Sequence, residues 1–136
     1  MTRAAGAVAA SIHQEVDFKT TPQRIFEVLQ DAKQFSAFTK AMAEIQPQAG
    51  GAFKLFSGAI EGRIVELAPN ERIVQAWRPT YWPPGVYSLV KFELVVRGAG
   101  TRIILDYTGF TEDKWEGLKA GWPVSYWDPL RKFLNA

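Results

Sequence analysis

The sequence contains no cysteine, which excludes disulfides, thiolate nucleophiles and cysteine-ligated metals. Its single histidine, His13, has no second imidazole with which to complete a zinc site. The charge is nearly balanced, with 16 Lys and Arg against 14 Asp and Glu, so charge alone indicates neither a nucleic-acid partner nor a membrane surface. No apolar run approaches the roughly 20 residues needed to span a bilayer. The lack of cysteine is typical of a cytoplasmic protein, and we expect that location.

The composition that remains is typical of one small globular domain. The chain has 136 residues, of which 47% are hydrophobic and 22% charged. Its first segment, MTRAAGAVAAS, is rich in small residues and too weakly apolar to be a secretory signal. We therefore expect residues 1–11 to form a disordered leader and residues 12–136 to form a single domain.

Alternating apolar and polar residues predict six strands. One strand covers residues 12–18, and the other five lie between Ala52 and Phe110. Two short helices are expected after the first strand, because Thr21 is a good N-cap and Pro22 suits a first helical turn. Consecutive strands joined by short turns favour an antiparallel sheet, and the fold class is α+β.

The last segment, residues 111–134, is predicted to be one long helix. Trp122 and Tyr126 are four residues apart and share its apolar face, whereas Trp127 lies about 100° further round and is expected to point elsewhere. Each of the two internal prolines removes a backbone hydrogen bond, so the helix should bend or split near Gly121. This helix is the only element long enough to cover the concave face of a curled sheet, and the space between them would form a pocket.

Four segments resemble a known family. They are GGAFKLFSGAIEGRIVELAPNERIVQAWR (50–78), WPPGVYSLVKFEL (82–94), GAGTRIILDYTGF (98–110) and GWPVSYWDPLRKFL (121–134). In order and spacing they are similar to homologues of the C-terminal domain of the heat-shock-protein-90 ATPase activator, in the START / birch-pollen-allergen (SRPBCC) superfamily. The resemblance runs from about Ile12 to the C-terminus.

This resemblance implies a helix-grip fold, in which a curved antiparallel sheet wraps around a long C-terminal helix and encloses a hydrophobic cavity. Members of the superfamily bind lipids, sterols, polyketides or other apolar molecules, and some are cyclases or hydroxylase subunits. The eukaryotic activator has a separate N-terminal domain for its chaperone contact. A chain of 136 residues has no room for that domain, so we do not expect this chain alone to show a chaperone contact.

Aromatic residues supply most of the candidate cavity wall, although the same residues also suit ordinary core packing. Trp82 lies in the stiff segment TYWPPG and is expected at the mouth of the cavity, where its ring would act as a gate. The predicted ligand-binding residues, from strand parity and helix face, are Trp77, Trp82, Phe92, Leu94, Tyr107, Trp122 and Tyr126.

Ionisable residues offer no catalytic constellation. Strand parity does not settle whether Glu61 or Glu66 points inward, where burial would raise its pKa and suit it to acid or base chemistry. Arg102 and Asp106 share one face of a strand and are expected to pair, while His13 is expected on the surface. The sequence thus identifies no catalytic residue, no metal ligand and no cofactor.

Three functions remain open. Binding of a small apolar or lipid-like molecule is favoured, because the sequence contains residues suited to line an apolar cavity but no recognisable set of catalytic residues. The alternatives are an enzyme of cyclase, hydrolase or lyase type that uses the same cavity, and a chaperone-associated stress-response protein of the ATPase-activator family. Pairing into a homodimer is left open by the sequence.

Overall fold

The computed structural model describes residues 9–135 and has the predicted α+β architecture. Within these residues, one antiparallel sheet has seven strands in the order β1-β7-β6-β5-β4-β3-β2. The strands are β1 (Ala9–Phe18), β2 (Glu44–Ile45), β3 (Ala52–Leu55), β4 (Ile60–Ala68), β5 (Arg72–Pro79), β6 (Ser88–Arg97) and β7 (Gly100–Thr111). The helices are α1 (Pro22–Gln30), α2 (Ala32–Thr39), α3 (Trp115–Trp122) and α4 (Asp128–Leu134). Among the described residues, none of these helices is long and apolar enough to cross a membrane.

Two boundaries differ from the prediction. Strand β1 begins at Ala9, so residues 9–11 of the predicted leader belong to the sheet, while residues 1–8 lie outside the described residues. The sheet has seven strands instead of six, because Glu44 and Ile45 form a short edge strand against Phe53 and Lys54. Two residues are too few to show an alternating pattern, so this strand could not be predicted from periodicity.

The core lies between the sheet and the helices. On β7, the inward residues Ile103, Leu105 and Tyr107 are fully buried, as the alternation predicts. Thr21 caps α1, since its Oγ1 accepts a hydrogen bond from the Arg24 amide at 3.2 Å. These elements confirm the half-buried sheet and the predicted helix start.

The C-terminal helix, defined as residues 115–134, runs without a break. Between α3 and α4, Pro123–Trp127 form a π-helical segment. This wider turn accommodates Pro123, which lacks the N–H that a regular turn would use. The expected split near Gly121 is therefore wrong, and the proline instead changes the helical pitch locally.

Trp127 corrects a second expectation for this helix. Its side chain does not point away from the Trp122–Tyr126 face: it is only 4% exposed and stacks on Trp122, with ring centroids 5.9 Å apart and 23° between planes. Its Nε1 donates a hydrogen bond to Gln14 Oε1 at 2.7 Å. In the π-helical segment, residues five apart are neighbours, so Trp127 joins the aromatic face to which the regular helical period did not assign it.

The C-terminal helix also covers the edge of β1. Trp115 Nε1 donates to the carbonyl of Ser11 and Arg131 Nη1 to the carbonyl of Asp17, each at 3.0 Å. These bonds satisfy backbone groups that an edge strand would otherwise present to other chains.

The expected Arg102–Asp106 pair is wrong. Arg102 Nε lies 2.8 Å from Asp17 Oδ1, and Asp106 Oδ1 lies 2.7 Å from His13 Nδ1. Each pair joins residues directly opposite one another in the β1–β7 register. Residues four apart on one strand are about 13 Å apart, so the cross-strand partners are closer. His13 is on the surface, as predicted.

Candidate functional site

A cavity of about 300 Å³ lies between the sheet and the C-terminal helix. Its sheet side is formed by the turn after β3, the start of β4 and one residue of β5, namely Phe56, Ala59, Ile60 and Trp77. Its helix side is formed by Gly117, Leu118, Gly121, Trp122, Ser125 and Tyr126. The lining is thus mostly aromatic and aliphatic, as expected for a site that takes an apolar molecule.

Three small residues leave room on the helix side. Gly117, Gly121 and Ser125 are four residues apart, so they form a stripe beside the aromatic one. A Cβ atom placed on either glycine would meet nothing within 4 Å. Gly117 is exposed and Gly121 half-buried, so the cavity opens to solvent beside α3.

On the sheet side, Gly62 lies directly opposite the lining residue Trp77 and in close contact with both neighbouring strands. The two residues are directly opposite in the β4–β5 register and both are buried. A Cβ on Gly62 would lie 1.8 Å from the Ala76 carbonyl oxygen and 2.6 Å from Phe53 Cζ, so no other residue fits without rearrangement. This glycine therefore allows close packing between neighbouring strands of the sheet.

Phe56 reaches the cavity from a strained turn. Phe56 and Ser57 have φ angles of 54° and 57°, which are uncommon for residues other than glycine and unusual for an aromatic residue. The turn is held in place by a hydrogen bond from the Ser57 amide to the Met42 carbonyl at 2.9 Å. This conformation places the Phe56 ring edge-on to Tyr126, with centroids 5.6 Å apart.

Aromatic rings connect the two sides of the site. Trp77 and Trp122 stack with centroids 5.7 Å apart and an angle of 27° between planes. Trp122 also contacts Tyr126, with centroids 4.7 Å apart. Their contacts fix the spacing between sheet and helix, because offset or edge-on ring pairs have preferred geometries.

The two buried tyrosines differ in their hydroxyl partners. The Tyr107 hydroxyl hydrogen-bonds to Ser88 Oγ at 2.9 Å, behind the cavity wall. Tyr126 lines the cavity, and its hydroxyl has the Trp77 indole N–H as its neighbour. Burial raises the pKa of Tyr126 far above its ordinary value, an effect that the Trp77 N–H partly opposes. The Tyr126 hydroxyl therefore stays protonated and available as a donor.

The structure brings three of the seven predicted ligand-binding residues to the cavity: Trp77, Trp122 and Tyr126. Phe92 and Tyr107 lie behind them as a second layer, each within ring contact of Trp122. Leu94 is buried in the core and is not part of the lining.

Trp82 does not lie at the cavity mouth. Its side chain is only 3% exposed and is absent from the lining, whereas the neighbouring Tyr81 is 79% exposed. Arg78 holds this segment, since its Nη2 donates to the Trp82 carbonyl at 2.5 Å and its Nη1 to Glu61 Oε2 at 2.5 Å. The two prolines stiffen the loop, but the buried guanidinium decides where Trp82 lies.

Glu61 and Glu66, whose orientation could not be predicted from strand parity, do not reach the cavity. Glu61 pairs with Arg78, and Glu66 pairs with Arg72 at 2.7 Å on the surface. Among the described lining residues there is no charged side chain. The described part of the chain also has no group of three His, Asp or Glu residues placed to hold a metal ion.

The remaining lining residues were not predicted. Phe56 and Ala59 lie in the turn after β3 and Ile60 is the first residue of β4, and alternation along the strands does not predict the path of that turn. The helix residues did leave a signal: Gly117, Gly121 and Ser125 repeat at four-residue steps within a predicted helix. Small residues on one helix face are a sign of nearby space or close packing.

Comparison with known proteins agrees with this architecture. A family model described as "Activator of Hsp90 ATPase homolog 1-like protein" matches residues 19–135. The chain is 28% identical over 125 residues to the mouse (Mus musculus) "Activator of 90 kDa heat shock protein ATPase homolog 2". That match covers 92% of this chain but 38% of the mouse protein, so the chain spans little more than a third of its relative's length.

Solved structures share the fold. The crystal structure of an HSP90 activator from Plasmodium falciparum superposes with a TM-score of 0.84 at 25% identity, covering 92% of this chain and 96% of that one. The solution structure of the Aha1 dimer from Colwellia psychrerythraea has a TM-score of 0.76 at 15% identity, covering 88% and 92%, and shows the fold alone. Because the family model covers nearly the whole described chain, this protein belongs to the family of activator of Hsp90 ATPase homolog 1-like proteins.

Proposed function

We propose that this protein binds a small, neutral, largely apolar molecule in the cavity between its sheet and its C-terminal helix. The observation that carries the proposal is the cavity of about 300 Å³, lined by aromatic and aliphatic side chains. That size is at the lower end of ordinary small-molecule sites. A neutral ligand is favoured because burying a charge beside this lining would leave it without a partner.

The glycines of the helix support the proposal. A glycine in a helix interior costs about 1 kcal/mol relative to alanine. Gly117 and Gly121 both line the cavity, and a Cβ atom on either would meet no neighbouring atom within 4 Å. Packing therefore does not require these glycines, whereas keeping space open for a ligand does.

Binding is favoured over catalysis by the chemistry of the lining. Ser125 and Tyr126 bear the lining's only hydroxyl groups, and among the described residues no carboxylate or imidazole accompanies them. Because burial raises the pKa of Tyr126, its hydroxyl is a poor base at neutral pH. The enzyme alternative therefore lacks a proton acceptor at the site.

Filling the cavity tests the proposal. Gly121→Leu would place a branched side chain in the open space, and we expect it to abolish binding of an apolar fluorescent probe without loss of stability. Ala120→Leu is the matched control, because Ala120 is the exposed neighbour and does not line the cavity. Equal probe binding by the two variants would reject the cavity as the site.

A chaperone contact is a second candidate function, favoured by the family. The mouse relative is named as an activator of a 90 kDa heat-shock-protein ATPase, and this chain corresponds to part of it. The segment from residue 81 to residue 89 carries the exposed apolar side chains that such a contact would use, with Tyr81 at 79% and Tyr87 at 46% exposure. Arg78 anchors the segment beneath them.

The two functions are separable by mutation. Replacing both Tyr81 and Tyr87 with Ser should weaken any stimulation of the ATPase of the host's own 90 kDa heat-shock protein, while leaving probe binding unchanged. No stimulation by the unaltered chain would reject the second function. A homodimer and a cytoplasmic location stay predictions, and light scattering on the purified chain measures the first.

A further inference from the structure

One residue of the cavity lining carries a buried polar group that lacks a well-formed hydrogen bond. Trp77 is only 6% exposed, and its Nε1 is buried without a hydrogen-bond partner. An indole N–H can only donate. Buried polar groups are nearly always hydrogen-bonded, so an orphaned donor on a cavity wall calls for a partner that the protein itself does not supply.

The Tyr126 hydroxyl, on the same cavity, lies close enough to this N–H for the N–H to lower its pKa, but the two groups do not meet in hydrogen-bond geometry. Tyr126 is 2% exposed, and among the described residues its hydroxyl has no hydrogen-bonding carboxylate, amide or carbonyl partner. Tyr107, by contrast, has its hydroxyl occupied by Ser88. The lining thus has two neighbouring donors, Trp77 Nε1 on the sheet and the Tyr126 hydroxyl on the helix, beside the Ser125 hydroxyl, and no carboxylate or amide side chain among its described residues.

We infer that the ligand is an apolar molecule bearing a neutral hydrogen-bond-accepting oxygen, such as a ketone or ester carbonyl, which receives hydrogen bonds from Trp77 Nε1 and the Tyr126 hydroxyl. This inference rests on the proposed function. A carbonyl oxygen has two lone pairs and can accept from both donors at once. A carboxylate is disfavoured because the described lining carries no cation to balance its charge.

Two probes of nearly identical shape separate the contribution of the ligand oxygen to binding from that of the apolar surface. A naphthyl ethyl ketone and the corresponding propylnaphthalene differ only in one carbonyl against one methylene. The ratio of their dissociation constants is measured by titration for the unaltered protein, for Tyr126→Phe and for Tyr107→Phe. Differences in the probes' own solubility cancel when the ratios are compared between proteins.

In the unaltered protein, the preference for the ketone over the hydrocarbon should be about five to ten times larger than in Tyr126→Phe. The variant lacks one hydrogen bond to the ligand oxygen, which accounts for a difference of this size. Tyr107→Phe should keep the original ratio, because its hydroxyl is occupied by Ser88 and lies outside the lining. An unchanged ratio in Tyr126→Phe would overturn the inference while leaving apolar binding intact. Failure of both probes to bind the unaltered protein would reject the proposed function itself.

A second readout needs no substitution. In the unaltered protein, the indole proton resonance of Trp77 should move downfield when the ketone is added, because the N–H gains an acceptor. The hydrocarbon should not cause this downfield change. The same displacement with both probes would show that the N–H senses ring contact alone, and would overturn the role assigned to the oxygen.

Discussion

The indole rings of Trp77 and Trp122 lie nearly parallel, with centroids 5.7 Å apart. Trp77 comes from strand β5 and Trp122 from α3, so this contact joins the sheet to the helix at the cavity. The helix cannot pack closer to the sheet here without displacing one of the rings. The cavity is therefore a consequence of two large side chains meeting beside small ones, Gly117 and Gly121.

Trp122→Ala should enlarge the existing cavity more than it opens a new one. We expect a loss of about 3 kcal/mol in the free energy of unfolding, the low end for Trp→Ala, together with a shift towards bulkier probes. Trp127→Ala is the comparison on the same helix, because Trp127 stacks on Trp122 from outside the cavity lining and is bonded to Gln14. It should cost about 5 kcal/mol with no change in probe selectivity. The reverse order of the two losses would contradict the cavity at Trp122.

Because Phe56 has a left-handed backbone conformation, replacing it with glycine should destabilise the protein less than replacing it with the larger alanine. Phe56→Gly and Phe56→Ala both remove the ring that contacts Tyr126, but only glycine adopts a φ of 54° without penalty. The glycine variant should therefore be more stable than the alanine variant by about 1 kcal/mol. Urea unfolding measures the difference. If the alanine variant is the more stable, the turn does not keep its left-handed conformation in solution.

The buried guanidinium of Arg78 should control the segment that contains Trp82. Arg78→Met removes the donor to the Trp82 carbonyl and leaves Glu61 without its partner, so we expect a loss of roughly 2–4 kcal/mol. Arg72→Met is the matched control, since it breaks an exposed pair with Glu66 and should cost under about 1 kcal/mol.

Hydrogen exchange should report where the Arg78→Met damage falls. Amides of residues 80–87 should exchange faster in that variant, because the backbone carbonyls that Arg78 holds are there. Uniform acceleration across the whole sheet would mean that Arg78 supports the core and not this loop.

The pH dependence of stability should include a contribution from His13. Hydrogen bonds to Asp106 and Glu15 raise the pKa of His13 above its ordinary 6.5. The folded state therefore favours the protonated ring, and the stabilisation is complete below the unfolded pKa and is lost as pH rises through the folded pKa. Two cations also lie near these carboxylates, Arg102 at 3.4 Å from Glu15 and Lys91 at 3.9 Å from Asp106. Between about pH 6 and 9 the melting temperature should fall more in the unaltered protein than in His13→Gln. Parallel curves would contradict the raised pKa.

Elements with a repeated pattern were predictable from sequence. The alternation along β7 placed Tyr107 inside, and the four-residue step placed Trp122 and Tyr126 on one helix face. Edge strand β2 escaped prediction because two residues form no pattern. The π-helical segment at Pro123 was not predicted either. A proline inside a helical pattern is compatible with a kink, a break or a change of pitch, and the sequence does not distinguish these.

The site was less predictable than the fold, since it depends on how separate elements meet. Strand parity gives the direction of Phe92 but not its depth, and Trp122 lies between it and the cavity. Trp82 was misplaced because its position is set by Arg78, four residues earlier, through a backbone carbonyl. Such a contact has no periodic signature in the sequence.

The five indole N–H groups provide the most direct test of the cavity as a binding site. Those of Trp115 and Trp127 are already bonded within the protein, to Ser11 and Gln14. In a nitrogen–proton correlation spectrum titrated with a naphthyl ethyl ketone, the signals of Trp77 and Trp122 should shift and saturate together. The signals of Trp82, Trp115 and Trp127 should stay in place, because none of these residues lines the cavity. Saturable shifts confined to the latter three, or no saturable shift at Trp77 and Trp122, would contradict ligand binding between the sheet and the C-terminal helix.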